Sequence, residues 1–146
     1  DRLISLYQEW SKKYNIISFE DGLAEDDFEN WKKLNEKMGG NILNIGDDLL
    51  VTNTDRLKKA LSFSAVNAAI VKPNQIGTLS ETMEFIKICQ KNKIKIVVSH
   101  RSGETEDAFI ADLAIAASAE FIKFGAPCRG ERTAKYNRLL EIEKEI

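Results

Sequence analysis

Net charge is nearly absent from this 146-residue chain: 21 lysines and arginines stand against 23 aspartates and glutamates, leaving −2. That balance gives no bulk electrostatic pull toward nucleic acid or an anionic membrane, and neither is expected as a partner. Long apolar runs are missing as well, so no segment is expected to cross a bilayer as a helix. Cysteine is scarce, with Cys89 and Cys128 far apart and in no disulfide or metal-ligand pattern. Two unpaired thiols suit a reduced, cytoplasmic protein. No phosphate-cradling glycine loop occurs, neither GxGxxG nor GxxxxGK with a following Ser or Thr, which argues against a doubly wound nucleotide-binding fold. The opening residues do not read as a signal peptide. They are Asp1-Arg2-Leu3, without methionine, and enter a helical pattern at once, so the chain is expected to belong to something longer. Linkers and low-complexity tracts are also lacking, and one domain is expected.

What is present is a rhythm. Five short apolar runs each close on a charged or ionisable side chain: Ile16 to Glu20, Ile42 to Asp47, Ala68 to Lys72, Ile94 to His100, and Glu120 to Lys123. The closing residues are 23 to 28 positions apart, and the stretches between them read as helix. Alternating strands and helices favour a parallel sheet with right-handed crossovers. Apolar rather than alternating strands imply burial on both faces. The expected fold is α/β, a parallel barrel or part of one. In such a barrel the C-terminal ends of the strands carry the chemistry.

Helices are expected over about 2–14, 25–38, around Leu57 to Leu61, from Thr78, over about 106–119, and from about Glu131. Glu25, Asp26 and Asp27 load the first turn of the second, and Gly39-Gly40 is its expected stop. Asn53 or Thr54 is placed to cap the third, and Thr78 with Glu81 forms a capping box. Pro73 to Gly77 reads as a turn.

Glu20-Asp21 and Asp47-Asp48 are acidic doublets at successive strand ends. Carboxylates held close repel unless a cation lies between them, and oxygen donors suit Mg²⁺ or another hard ion. The alternative is that such residues cap the next helix, a role open to Asp21 and Asp48. Lys72 follows Ala-Ala-Ile-Val. It either snorkels to solvent or serves as a general base, with a cation and Lys123 nearby favouring the neutral amine. His100-Arg101-Ser102-Gly103 joins the chain's one imidazole to a guanidinium, a hydroxyl and a permissive backbone. Arginine binds phosphate or carboxylate bidentately.

These blocks resemble enolase, phosphopyruvate hydratase. The residues that carry the likeness are Ser18-Phe19-Glu20-Asp21, Gly46-Asp47-Asp48-Leu49, Lys72-Pro73-Asn74-Gln75-Ile76-Gly77-Thr78, Ser99 through Asp107, and Ile122-Lys123 through Leu140. The likeness covers nearly the whole chain and implies about five β/α units from the C-terminal part of an enolase-type TIM barrel. It implies that residues 1–146 are a partial barrel domain, with the N-terminal α+β domain and first barrel strands lying elsewhere. It also implies reversible dehydration of 2-phospho-D-glycerate to phosphoenolpyruvate in glycolysis. Lys72 would abstract the C2 proton, Mg²⁺ held by Glu20 and Asp47 would stabilise the enediolate, and His100 would meet the substrate. Arg101 and Ser102 would hold the phosphate and Lys123 the carboxylate. A full-length homo-oligomer, dimer or octamer, is implied. The third metal carboxylate, the glutamate acid and the mobile serine loop of the family fall outside the match. Gly22 stands where the family commonly has proline.

Two other readings compete. The chain by itself could be a catalytically inert fragment or a binding module. Plasminogen binding through C-terminal lysines finds little support in an ending of Glu143-Lys144-Glu145-Ile146. A racemase or cycloisomerase of the superfamily is disfavoured by the Lys72 and His100 blocks.

Overall fold

The computed structural model describes residues 2–38 and 40–146. The expected stop at Gly39 therefore lies outside the described residues. The chain divides into two compact units, the first running to Lys95 and the second covering Ile96–Ile146.

The first unit opens with helix α1 (Arg2–Lys13) and strand β1 (Ser18–Glu20), followed by α2 (Phe28–Met38) and β2 (Leu43–Gly46). It continues with α3 (Thr54–Phe63), β3 (Ala68–Val71), the short α4 (Pro73–Ile76) and α5 (Leu79–Lys91). The strands are parallel, as the alternating pattern requires. Ser18 lies opposite Leu43 and Glu20 opposite Ile45, while Gly46 lies opposite Ala69. All four residues of β3 are buried, which is why it reads as a continuous apolar run. Helical spacing brings Ile4 of α1 against Leu34 and Met38 of α2, with Tyr7, Phe19, Leu23 and Ile42 around them. Gly22 lies under this layer. A Cβ there would come within 3.2 Å of the Tyr7 ring, and the Tyr7 hydroxyl donates to the Gly22 carbonyl at 2.8 Å. The departure from proline thus accompanies a tyrosine packed on the backbone.

Several boundaries differ from expectation. α2 begins at Phe28 because Asp27 stays outside it, its carboxylate accepting from the Asn30 backbone N–H at 3.3 Å. A carboxylate at the cap satisfies a donor that has no partner within the helix. Asn53, not Thr54, caps α3, accepting from the N–H groups of Asp55 and Arg56. The Pro73–Gly77 segment is a helical turn: Pro73 sits at its first position, where a missing N–H costs nothing, and Gly77 closes it at φ 101°. The Thr78 cap on α5 is present as expected, with its hydroxyl accepting from the Glu81 N–H.

Gly46 shows how tightly the end of β2 is packed. A Cβ there would stand 2.8 and 2.9 Å from side-chain atoms of the wholly buried Leu50. We expect Gly46→Ala to destabilise the fold by about 1–3 kcal/mol through overpacking. Urea denaturation checks this, and an unchanged midpoint would show that Leu50 yields freely.

The second unit contains β4 (Lys95–Ser99, which starts at the boundary), α6 (Phe109–Ala116), β5 (Phe121–Lys123) and α7 (Gly130–Glu145). β4 and β5 are parallel, Val97 opposite Phe121 and Ser99 opposite Lys123. α6 is shorter than expected. Thr105 and Asp107 turn their side chains onto the N–H groups of Asp107 and Phe109 before it starts, and Ser118 takes φ 48° after it ends. Such side-chain bonds compete with helix. Ile110, Leu113 and Ala114 of α6 are buried, as is Ile142 of α7. Arg138 clamps Asp112 with three bonds of 2.7 to 3.1 Å. Those bonds hold the Asp112 carboxyl below the usual carboxylate range.

Candidate active site

In the first unit β1 ends on Glu20, β2 runs into Asp47 and β3 runs into Lys72. Parallel pairing therefore delivers two carboxylates and an ammonium to the same end of that unit's sheet. Glu20, Asp21 and Asp47 each offer an oxygen, and these oxygens lie within 4.8 Å of one another. Asp21 departs from the helix-capping role open to it in the sequence. It adopts φ 45°, and its carboxylate accepts from the Asp47 N–H at 2.9 Å and the Asp48 N–H at 2.8 Å. Asp21 thus holds the backbone that carries Asp47. Burial pushes the Asp21 carboxyl above its ordinary value; the two N–H donors oppose that shift, and the charges of Asp47 and Asp48 add to it.

Asp47 is buried. One of its oxygens, Oδ2, takes the Lys72 ammonium, with side chains only 12% and 8% exposed. Its other oxygen, Oδ1, is buried and has no hydrogen-bond donor among the described residues. A buried carboxylate oxygen without a donor is costly. Together with two further carboxylates beside it, this is the donor set a hard divalent cation would satisfy. Glu20 and Asp47 could hold such an ion, with Asp21 fixing the backbone of Asp47. The chain alone carries few such ligands for an ion that demands near-octahedral geometry. We expect calorimetry on this chain to show weak Mg²⁺ binding that Asp47→Asn removes. Binding that survives the substitution would take Asp47 out of the site, and tight binding lost with it would mean that this chain carries a complete site.

In the second unit the His100 N–H donates to the Lys123 carbonyl at 3.0 Å, so both residues stand at the same end of the β4–β5 pair. The His100 ring lies against Gly125. A Cβ there would meet the ring at 3.1 Å, and Gly125 has φ 80°, so both space and backbone favour glycine. His100 Nδ1 is buried without a partner among the described residues. The Arg101–Gly103 turn is held from below. Arg101 N–H donates to Glu104 Oε1 at 3.0 Å, and the Arg101 carbonyl accepts from Arg132 at 3.3 Å. Ser102 is exposed at its tip.

Sequence reasoning missed the support of this turn. Lys135, wholly buried in α7, pairs with Glu104 at 3.3 Å and donates to the carbonyls of Thr105 at 2.9 Å and Glu131 at 2.8 Å. Nothing in the run Ala134-Lys135-Tyr136 marks this lysine as internal. Thr52, also buried, was missed too. Its hydroxyl accepts from the Lys72 N–H at 2.9 Å.

A family model described as the enolase C-terminal TIM barrel domain matches residues 1–146. This chain belongs to the enolase family. The α/β fold expected from the strand–helix rhythm is thus that of the enolase barrel domain. Relatives named enolase agree. One from Campylobacter jejuni subsp. jejuni is 58% identical over 143 residues, covering 98% of this chain and 34% of its own length. The enolase of a Nitratiruptor species is 54% identical over 146 residues, 100% of this chain and 35% of its own length. That of Campylobacter lari is 55% identical over 141 residues, 97% of this chain and 34% of its own. The chain spans about a third of the length of the curated relatives it matches. No helix among the described residues is long and apolar enough to cross a membrane.

Proposed function

We propose that this chain is the C-terminal part of an enzyme that reversibly dehydrates 2-phospho-D-glycerate to phosphoenolpyruvate in glycolysis. The observation that carries the reading is Lys72. A lysine after a fully buried strand ordinarily runs to solvent. This one lies on Asp47 with both side chains nearly withdrawn from water. Ion pairs so placed rarely add stability over an apolar pair, because desolvation offsets the attraction. A role in stability alone therefore accounts poorly for this pair.

In this reading Lys72 Nζ acts as general base in its neutral form, which a cation held on Asp47 would favour over the ammonium, and takes the proton from C2 of the substrate. The electron pair left at C2 is shared with the adjoining carboxylate, and hydroxide departs from C3, leaving as water with a proton from an acid that the rest of the longer chain would supply. Mg²⁺ on Glu20 and Asp47 would supply positive charge against the negative charge that builds on that carboxylate. Lys123 contributes a further cation to it. Arg101 and Ser102 hold the phosphate, which fixes C2 in reach of the base, since orientation alone lowers barriers greatly. His100 offers an imidazole to the substrate, in keeping with its partnerless Nδ1. The reading further places the protein in the cytoplasm as a homo-oligomer, dimer or octamer, with an N-terminal α+β domain and the first barrel strands supplied by the rest of a longer chain.

The test joins this chain to the N-terminal two thirds of a relative and follows phosphoenolpyruvate by its ultraviolet absorbance. Mg²⁺-dependent formation from 2-phosphoglycerate is expected. A folded hybrid with no turnover would return the inert-fragment reading.

A further inference from the structure

We propose that Thr52 is a positioning residue for the Lys72 amine, its buried hydroxyl holding the Lys72 peptide and so aiming the side chain; this rests on the reading of Lys72 as the base. Thr52 is wholly buried and makes two bonds through one oxygen. It accepts from the Lys72 N–H at 2.9 Å and donates to Gln75 Oε1 at 3.1 Å. It does so from a disfavoured backbone. Thr52 has φ 54° and Val51 before it φ 44°. Two successive β-branched residues in the left-handed region are steric outliers, and such strain persists only where the surroundings impose it.

The surroundings are a tight turn hung on Asp47. The Leu50 and Val51 N–H groups both donate to the Asp47 carbonyl, at 3.0 and 2.8 Å, and the Asn53 N–H donates to Leu50 at 2.8 Å. This turn delivers Thr52 beneath Lys72. The Lys72 side chain then returns to the Asp47 carboxylate. The contacts close into a ring: Asp47 backbone, turn, Thr52 hydroxyl, Lys72 peptide, Lys72 amine, Asp47 carboxylate. Lys72 itself sits at the start of α4 with extended backbone, and its carbonyl accepts from the Gln75 N–H at 2.9 Å. Thr52 and Gln75 together therefore fix the peptide from which a long, flexible side chain departs. A lysine has four carbons between backbone and nitrogen, so a small shift of its peptide becomes a larger one at the amine. Misplacement of a reacting group by about 1 Å can cost on the order of 100-fold in rate.

The test uses a full-length enzyme carrying this chain. Thr52→Val keeps the shape and the β-branching and removes only the hydroxyl. The expected result is a fall in kcat of about 100-fold with KM within about twofold. Faster amide hydrogen exchange at Lys72 should accompany it, and Thr52→Ser should restore most of the rate. A normal kcat in Thr52→Val overturns the proposal, as does equal loss in Thr52→Ser, which would assign the effect to the methyl group. Should Thr52→Val fail to fold, the native enzyme decides: an unprotected Lys72 amide overturns the proposal. Lys72→Ala is run beside these. If it keeps near-normal C2 proton exchange, the reading of Lys72 fails; if it loses exchange while Thr52→Val keeps it, only the role of Thr52 fails.

Discussion

Lys72→Ala, in a full-length enzyme carrying this chain, is expected to lower exchange of the C2 proton of 2-phosphoglycerate by about 10²–10⁴-fold, the usual contribution of a positioned general base. Substrate binding should change little, because in the proposed function the phosphate is held by Arg101 and Ser102 and not by Lys72, which pairs with Asp47. The loss should therefore fall on kcat and leave KM nearly unmoved. Exchange is the right readout because it isolates the proton step from the departure of water. Hydrogen exchange into the substrate, followed by NMR, measures it directly. Near-normal exchange would make the Lys72–Asp47 pair a structural feature and assign the base to another group.

The second large effect is on stability. Lys135→Ala removes an ammonium that is wholly buried and bound to the Glu104 carboxylate and two backbone carbonyls. Removing one partner of a buried pair strands the other, at a cost of about 3–5 kcal/mol. The stranded group here is Glu104, which also accepts the Arg101 N–H. Unfolding should thus be accompanied, or preceded, by loosening of the Arg101–Gly103 turn. Denaturation in urea gives the first quantity, and amide exchange at Arg101 the second. Lys135→Met combined with Glu104→Gln should recover part of the loss, since no net charge is then left without its partner. A single Lys135→Ala variant within about 0.5 kcal/mol of the native protein would mean that water reaches Glu104 and replaces the ammonium.

Legibility differed between element and site. Strand positions were legible because β2 and β3 are short apolar runs closed by a charge, and the observed strands end on the closing residue at Glu20 and Lys123 and one residue before it at Gly46, Val71 and Ser99. Helix starts were less legible where polar residues compete for backbone donors. The Glu25-Asp26-Asp27 cluster suits a first turn electrostatically, yet Asp27 uses its carboxylate as a cap and the helix waits until Phe28. Pro73 and Gly77 are turn residues by composition, but the same two residues also open and close a single helical turn. Which occurs depends on the packing around them.

The order of strands and helices, the charged residue at each strand end, and the membership of the enolase family were determined by the sequence alone. Periodicity reports which residues share a face of one element, and an ordered set of motif residues survives translation into any structure. Only the tertiary structure decided what supports the reactive groups. Asp21 turns onto the backbone N–H of a residue 26 positions away, Thr52 lies under the peptide of a residue 20 away, and Lys135 reaches a carbonyl 30 away. Each of these contacts joins two loops or a loop and a helix. Their formation depends on strand register and on left-handed backbone at Asp21, Val51 and Thr52. That conformation is uncommon for aspartate and an outlier for valine and threonine, so it is imposed by the packed surroundings rather than chosen by the residues themselves.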